Sequence, residues 1–332
     1  MFSLLNPDHF ANGHPHATYD QMRRRDPIWL DEGAPENEPV WLLTRHEDIR
    51  ALSRDSAHFT STLGFRIPTA TRAAMAPEIG QVLRRFMLSM DDPEHFVFRN
   101  LVGSNFMPAN ISKLKSNVQE RAEGLMESLR GNSDLDFVTD VGAKVPIQTV
   151  CSIMGVPVED EWRVFEFTNA VFGTDDPEYA PSLEEANERY LAIFDYGWSL
   201  LEARRKEPQD DLLSQIAHAK KEDGSPLTRD EQISYFSNMI AAGNETTRSS
   251  LSGAVWALSL YRDQREALIE DPSLIPELCR KSCAGYLPST ICHGPLLKML
   301  RSAERWSPKE IVSPCFMARA IVIRKSSWIP TT

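Results

Sequence analysis

Cysteine is almost missing from the first 278 residues, where Cys151 stands alone. A disulfide framework is excluded there, and the pattern predicts a reducing, cytoplasmic setting. Long apolar runs are missing as well, since none approaches the ~20 residues that a membrane-spanning helix requires. Met1–Leu5 is short and lacks the basic flank of a secretion signal. Excess positive charge is also lacking: the net charge is −11 at pH 7, which argues against general nucleic-acid binding. No proline-glycine linker and no internal repeat divides the 332 residues, a length that can bury a substantial core.

What the sequence does contain is helix. Residues 75–88, 110–130, 159–172, 183–206 and 210–222 carry helical patterns, with few and short strand candidates. Asp175-Asp176-Pro177-Glu178 and Pro181 interrupt them and predict a surface loop. The longest helix opens at Thr228, followed three residues later by Glu231 in a capping box. It runs without proline to about Tyr261, and Ile233, Phe236, Ile240, Leu251, Val255 and Leu258 predict one buried face, interrupted only at the centre. Some thirty residues at ~1.5 Å each make a rod of roughly 50 Å, long enough to cross a domain.

The centre of that rod, Ala242-Gly243-Asn244-Glu245-Thr246-Thr247, is a poor helix former. Gly243 lets something approach the backbone, and Thr246 can turn its hydroxyl onto a preceding carbonyl and loosen the helical ladder, so a local groove is expected. Glu245 and Thr246 set an acid beside an alcohol, the two groups of a proton relay. The alternative is structural: Glu245 pairs with Arg248 one turn on, and the threonines are merely tolerated.

Met90-Asp91-Asp92-Pro93-Glu94-His95 predicts a second helix start, with Asp92 as N-cap and Pro93 in the first turn. His95 and Arg99 then share one face. With Asn105-Phe106, with Arg204 to Ser214, and with Pro39 to His46 followed by Asp48-Ile49, these segments fall in the order seen in bacterial cytochrome P450 monooxygenases, which residues 1 to about 278 resemble. The resemblance implies a mainly α, cytochrome P450-like fold with small β elements and a haem cofactor. It implies that His95 and Arg99 hold the haem propionates, that Ala242 and Gly243 cross the distal face, and that Glu245 and Thr246 deliver protons. It further implies a ferredoxin-type electron donor and a small hydrophobic substrate. The Gly-Asn-Glu-Thr-Thr-Arg form is similar to the branch acting on sterol side chains, methyl-branched lipids or terpenes.

The resemblance ends near residue 278. The Phe-x-x-Gly-x-x-x-Cys loop that supplies the iron thiolate in that family does not occur: none of Cys151, Cys279, Cys283, Cys292 and Cys315 lies at the end of such a loop. Glu277 and Arg280 fit Glu-x-x-Arg in form, but the residues after Arg280 are unlike the family. Residues 279–332 hold nine Lys or Arg against Glu304 and Glu310, a net of +7, whereas the remainder holds 27 basic and 45 acidic residues, a net of −18. Back-translated and reread in a shifted frame, this tail can spell family-like segments. The expectation is a cytochrome P450-like region over 1–278, truncated before the thiolate loop, and then an aberrant, poorly ordered tail over 279–332 that arises by frameshift.

Three further readings compete with a working monooxygenase. One is a non-catalytic remnant. Another is a zinc site at Cys279, Cys283, Cys292 and His293, whose spacing lacks tight knuckles. The last is a magnesium-dependent terpenoid cyclase using Asp91-Asp92 and Asp175-Asp176, where Pro93 and Pro177 come directly after the pairs and no aspartate lies one turn on.

Overall fold

The computed structural model describes residue 3 and residues 7–10, 15–31, 40–64, 74–173 and 181–279. The predicted loop at Asp175 to Glu178 and the cysteines beyond Cys279 lie outside the described residues. The chain divides into two compact units, residues 60–248, and residues 1–59 with 249 onward.

The unit over 60–248 is helical. In chain order α3 is Pro77–Leu83, α4 Glu94–Gly103, α5 Pro108–Ser128, α6 Lys144–Met154, α7 Glu161–Phe172, α8 Leu183–Lys206 and α9 Leu212–His218; α10, Arg229–Leu260, begins here and runs on into the other unit. The starts of the later helices are set by their capping residues. Ser182 Oγ accepts from the Glu185 N–H at 3.1 Å to open α8. Asp211 Oδ1 accepts from the Ser214 N–H at 2.7 Å to open α9. The predicted capping box of α10 forms in both directions: the Thr228 N–H donates to Glu231 Oε2 at 2.7 Å, and the Glu231 N–H donates to Thr228 Oγ1 at 3.3 Å. One core fills the unit, with Ile79, Phe98, Ile147, Met154, Ile193 and Phe236 among its buried members.

Several local expectations fail for identifiable reasons. Asp92 is not an N-cap: α4 starts at Glu94 with Pro93 in the cap position and no side-chain cap bond. The neighbouring Asp91 anchors the turn, its carboxylate accepting from the Thr60 hydroxyl at 2.5 Å and the Ser61 N–H at 2.7 Å. Helix does not extend through 219–222, because α9 stops at His218 and a Lys220–Pro226 bridge frames a tight turn. Gly224 there takes a φ of 81°, which a side chain would strain, and Asp223 Oδ1 accepts from the Ser225 N–H. The stretch 75–88 breaks into α3 and a separate 3₁₀ turn at Met87–Ser89.

The other unit contains α1 (His16–Arg25), the antiparallel pair β1 (Ile28–Asp31) and β2 (Val40–Leu43), α2 (His46–Arg54), the end of α10 and α11 (Arg262–Glu270). Its strand register pairs Ile28 with Leu43 and Leu30 with Trp41. The strand entering a helix near Trp41 thus forms as the sequence predicts. The predicted buried stripe of α10 holds only in its first half. Ile233, Phe236 and Ile240 are fully buried, but Leu251 and Val255 are exposed, at 38% and 41%. Periodicity fixes which face is apolar; it does not supply a layer to cover it. No helix among the described residues is long and apolar enough to cross a membrane.

Candidate functional site

The weak centre of α10 stays helical, since the helix runs unbroken from Arg229 to Leu260. Successive residues of a helix rotate by about 100°, so residues 242, 243, 246 and 247 share one side while 244, 245 and 248 share another. The two sides meet different surroundings.

On the first side lies an apolar cavity of about 390 Å³, bordered by Met239, Ala242, Gly243 and Thr247 of α10, by Val150 of α6 and by Phe106. Thr246 is not part of its lining; its hydroxyl is turned back to donate to the Ala242 carbonyl oxygen at 2.8 Å. That bond diverts a carbonyl lone pair of the helix ladder at the point where the wall faces the cavity. Gly243 does let something approach, and what approaches is α6: a Cβ at Gly243 would sit 2.9 Å from Val150 Cγ2. Ala242, by contrast, is exposed.

On the second side α10 meets α7 through polar groups. The fully buried Asn244 donates from Nδ2 to Thr168 Oγ1 at 2.7 Å, and that hydroxyl donates to the Phe165 carbonyl at 2.8 Å. Asn244 Oδ1 is buried without a hydrogen-bond partner among the described residues. Glu245 forms an ion pair with Arg248, so the structural alternative read from the sequence is the geometry the chain adopts. Arg248 also donates from Nη1 to Asn169 Oδ1 at 2.8 Å and lies 5.4 Å from the centre of the Phe165 ring. Thr246 thus donates back to Ala242, and Glu245 pairs with Arg248. Thr168, Asn169 and Asn244 escaped sequence reasoning: two belong to a distant helix, and a helix-interior asparagine carries no periodic signal.

His95 and Arg99 are one turn apart on α4 and do not line the cavity. The His95 ring stands 3.5 Å from the Asp92 carboxylate. Arg99 is exposed, with no hydrogen bond or ion pair among the described residues. An imidazole and an exposed guanidinium on one helix face suit paired carboxylates such as haem propionates. The apolar cavity beside Ala242 and Gly243 suits a flat hydrophobic ring. The thiols do not complete the set. Cys151 is fully buried in α6, and burial, with the Glu161 carboxylate adding to it, pushes its pKa up to about 12. It is protonated at neutral pH and packs as a small apolar group. Cys279 is exposed at the end of the described residues. The residues present therefore fit the propionate side and the wall of a haem site, and no described thiolate fits the iron.

Of the zinc reading, Cys283, Cys292 and His293 lie outside the described residues. No group of three or more His, Cys, Asp or Glu among the described residues could hold a metal ion. Asp91, one half of a suspected magnesium pair, is committed to Thr60 and Ser61, and Asp175-Asp176 lies outside the described residues.

No protein-family model matches the chain. Individual proteins do. The chain is 32% identical over 296 residues to cytochrome P450 126 of Mycobacterium tuberculosis, a match covering 86% of this chain and 70% of that protein. It is 31% identical over 272 residues to the steroid C26-monooxygenase of the same bacterium, covering 80% of this chain and 62% of that one. Among solved structures, the Mycobacterium marinum cytochrome P450 CYP268A2, in complex with pseudoionone, superposes with a TM-score of 0.74 at 26% identity, over 84% of this chain and 71% of the other. The Bacillus subtilis cytochrome P450 PksS gives a TM-score of 0.73 at 27% identity, over 87% and 70%. The chain belongs to the cytochrome P450 family. It spans between 62% and 70% of the length of the two protein relatives. The similarities lend no support to a terpenoid cyclase.

Proposed function

We propose that residues 1–278 form the oxygen-facing part of a haem monooxygenase, and that residues 279–332 are a replaced ending produced by a shift of reading frame. The observation that carries the first half is the Thr246 hydroxyl bonded to the Ala242 carbonyl beside an apolar cavity. Haem, when bound, supplies the iron centre at which dioxygen is activated. His95 and Arg99 hold its carboxylates by charge-assisted hydrogen bonds. Ala242 and Gly243 provide a wall without polar side chains. Thr246 holds a proton at Oγ1, and Glu245, once it has left Arg248 and taken a proton from solvent water, would pass that proton on to replace the one given up by Thr246.

The substrate class is a hydrophobic sterol, branched lipid or terpene-like molecule. Its support is the apolar cavity, together with the steroid named in one relative and the pseudoionone bound by a structural neighbour. Electrons come from a ferredoxin-type donor, in the cytoplasm. Because the thiolate loop is absent from the sequence and Cys151 is a protonated core residue, turnover by this chain is small or nil. Titration with haem tests the binding half: Arg99→Ala and His95→Ala each weaken binding about tenfold, the loss of one charge-assisted bond. Unchanged affinity in both variants would refute the assignment.

A second reading, the non-catalytic remnant, is favoured by the exposed Leu251, Val255, Trp256 and Leu260 along the end of α10. Its test is the breadth of thermal unfolding.

A further inference from the structure

Tyr235 of α10 is buried within the unit over 60–248, and its hydroxyl donates to the Phe98 carbonyl oxygen of α4. Its ring lies parallel to the Phe98 ring, with centroids 5.5 Å apart. One residue of α4 is therefore gripped twice by one residue of α10, through its backbone and through its side chain. Within a helix the Phe98 carbonyl already accepts from the amide four residues on, so the Tyr235 hydroxyl takes the second lone pair and leaves the ladder intact. Burial, with the Glu231 carboxylate one turn earlier adding to it, pushes the Tyr235 pKa up, which keeps the hydroxyl a donor at neutral pH and well above it.

What this grip sets is the rotation of α4 about its own axis. Steps of about 100° per residue put His95 about 60° and Arg99 about 100° from Phe98, both on the same side. Phe98 and Val102 are buried, His95 is half-buried and Arg99 is exposed, so His95 and Arg99 lie at the edge of the buried face. Apolar contacts at Phe98 and Val102 fix which face is inward but are non-directional. A hydrogen bond to a backbone carbonyl is directional and fixes the angle. We propose that Tyr235 is a positioning residue for haem: it holds the rotation of α4 through the Phe98 carbonyl, and thereby aims His95 and Arg99 together at the two carboxylates. The inference rests on the reading of His95 and Arg99 as the partners of the haem propionates. Tyr235 does not border the apolar cavity, so its effect on haem passes through α4 and not through the wall.

Tyr235→Phe tests this, because it keeps the stacked ring and removes only the hydroxyl, leaving the Phe98 carbonyl its ladder partner. In the full chain without haem, hydrogen exchange of the α4 amides becomes about fivefold faster, the loss of one neutral hydrogen bond, while exchange in α7 is unchanged. Titrated with haem, the variant binds about fivefold more weakly than the wild type. Introduced into His95→Ala/Arg99→Ala, the same substitution produces no further loss, since neither side chain remains to be aimed. A hydroxyl that merely stabilised the fold would weaken binding by the same factor in both backgrounds, and that result overturns the proposal. Unchanged exchange in α4, or unchanged haem affinity of Tyr235→Phe, overturns it as well. If His95→Ala/Arg99→Ala binds haem as tightly as the wild type, the propionate reading has failed and the positioning role falls with it. If that double variant binds weakly and Tyr235→Phe binds normally, this inference alone has failed.

Discussion

Gly243 and Val150 meet so closely that the glycine belongs to helix packing as much as to the cavity wall. Gly243→Ala improves helix propensity by about 1 kcal/mol but forces a methyl against a stiff β-branched side chain, an overpacking cost of roughly 1–3 kcal/mol. The expected outcome is a net loss of about 1 kcal/mol in urea unfolding, reversed when Val150→Ala is added to open the space. A stabilised Gly243→Ala protein would show that α6 has room to withdraw. At this scale the sequence was partly legible. A small residue next to an acid and an alcohol announced an unusual backbone, and the Glu245–Arg248 pair was one of the readings it allowed; the contact it did not announce is that of Arg248 with Asn169 on a different helix. Adjacency in the chain said nothing of this, because neighbours on a helix face different directions.

Helix ends were read more accurately than helix extents. The α10 cap is local chemistry, and Thr228→Ala costs about 1 kcal/mol, measurable as a lowered urea midpoint. Glu231 adds a pH dependence. Burial tends to raise its pKa, but hydrogen bonds from Lys221 and Thr228 outweigh that and hold the carboxyl below its ordinary value. A depressed folded-state pKa contributes stability that is complete above the unfolded-state value and is lost as pH falls through the folded-state one. Stability therefore declines as pH falls below the ordinary glutamate value of about 4.3 and on through the lower folded-state value, and Glu231→Gln flattens that part of the curve while lowering the plateau at neutral pH. A wild-type curve with the same slope as the variant's would contradict this. At one helix end Asp91 makes the side-chain contacts where Asp92 was expected to cap, and where an extent went wrong Gly224 turned the chain at a place where helix was expected to continue. Neither can be read from hydrophobic spacing.

For the whole molecule, the mainly helical class was legible from apolar spacing, and the cytochrome P450-like fold from the family resemblance carried by the segments around His95, Arg204 and Glu245. What remained hidden was burial. The second half of α10 keeps the periodicity of a core helix, yet Leu251, Val255 and Leu260 are exposed, as is Ile269 of α11 at 73%. Exposed apolar surface of this kind leaves part of the fold's hydrophobic driving force unused. Thermal unfolding should consequently be broad, with binding of a hydrophobic dye before the transition. A sharp, dye-silent transition would exclude the remnant reading and require these faces to be covered in solution.

The central proposal is that Ala242, Gly243, His95 and Arg99 form the wall and the anchoring cations of a cytochrome P450 haem site, in a sequence that lacks the family's thiolate loop. It is tested most directly by the absorption spectrum of the haem-loaded chain, reduced and exposed to carbon monoxide. The account predicts bound haem whose Soret band lacks the thiolate-type position. A thiolate-type band, abolished by substituting one of the five cysteines, would contradict it.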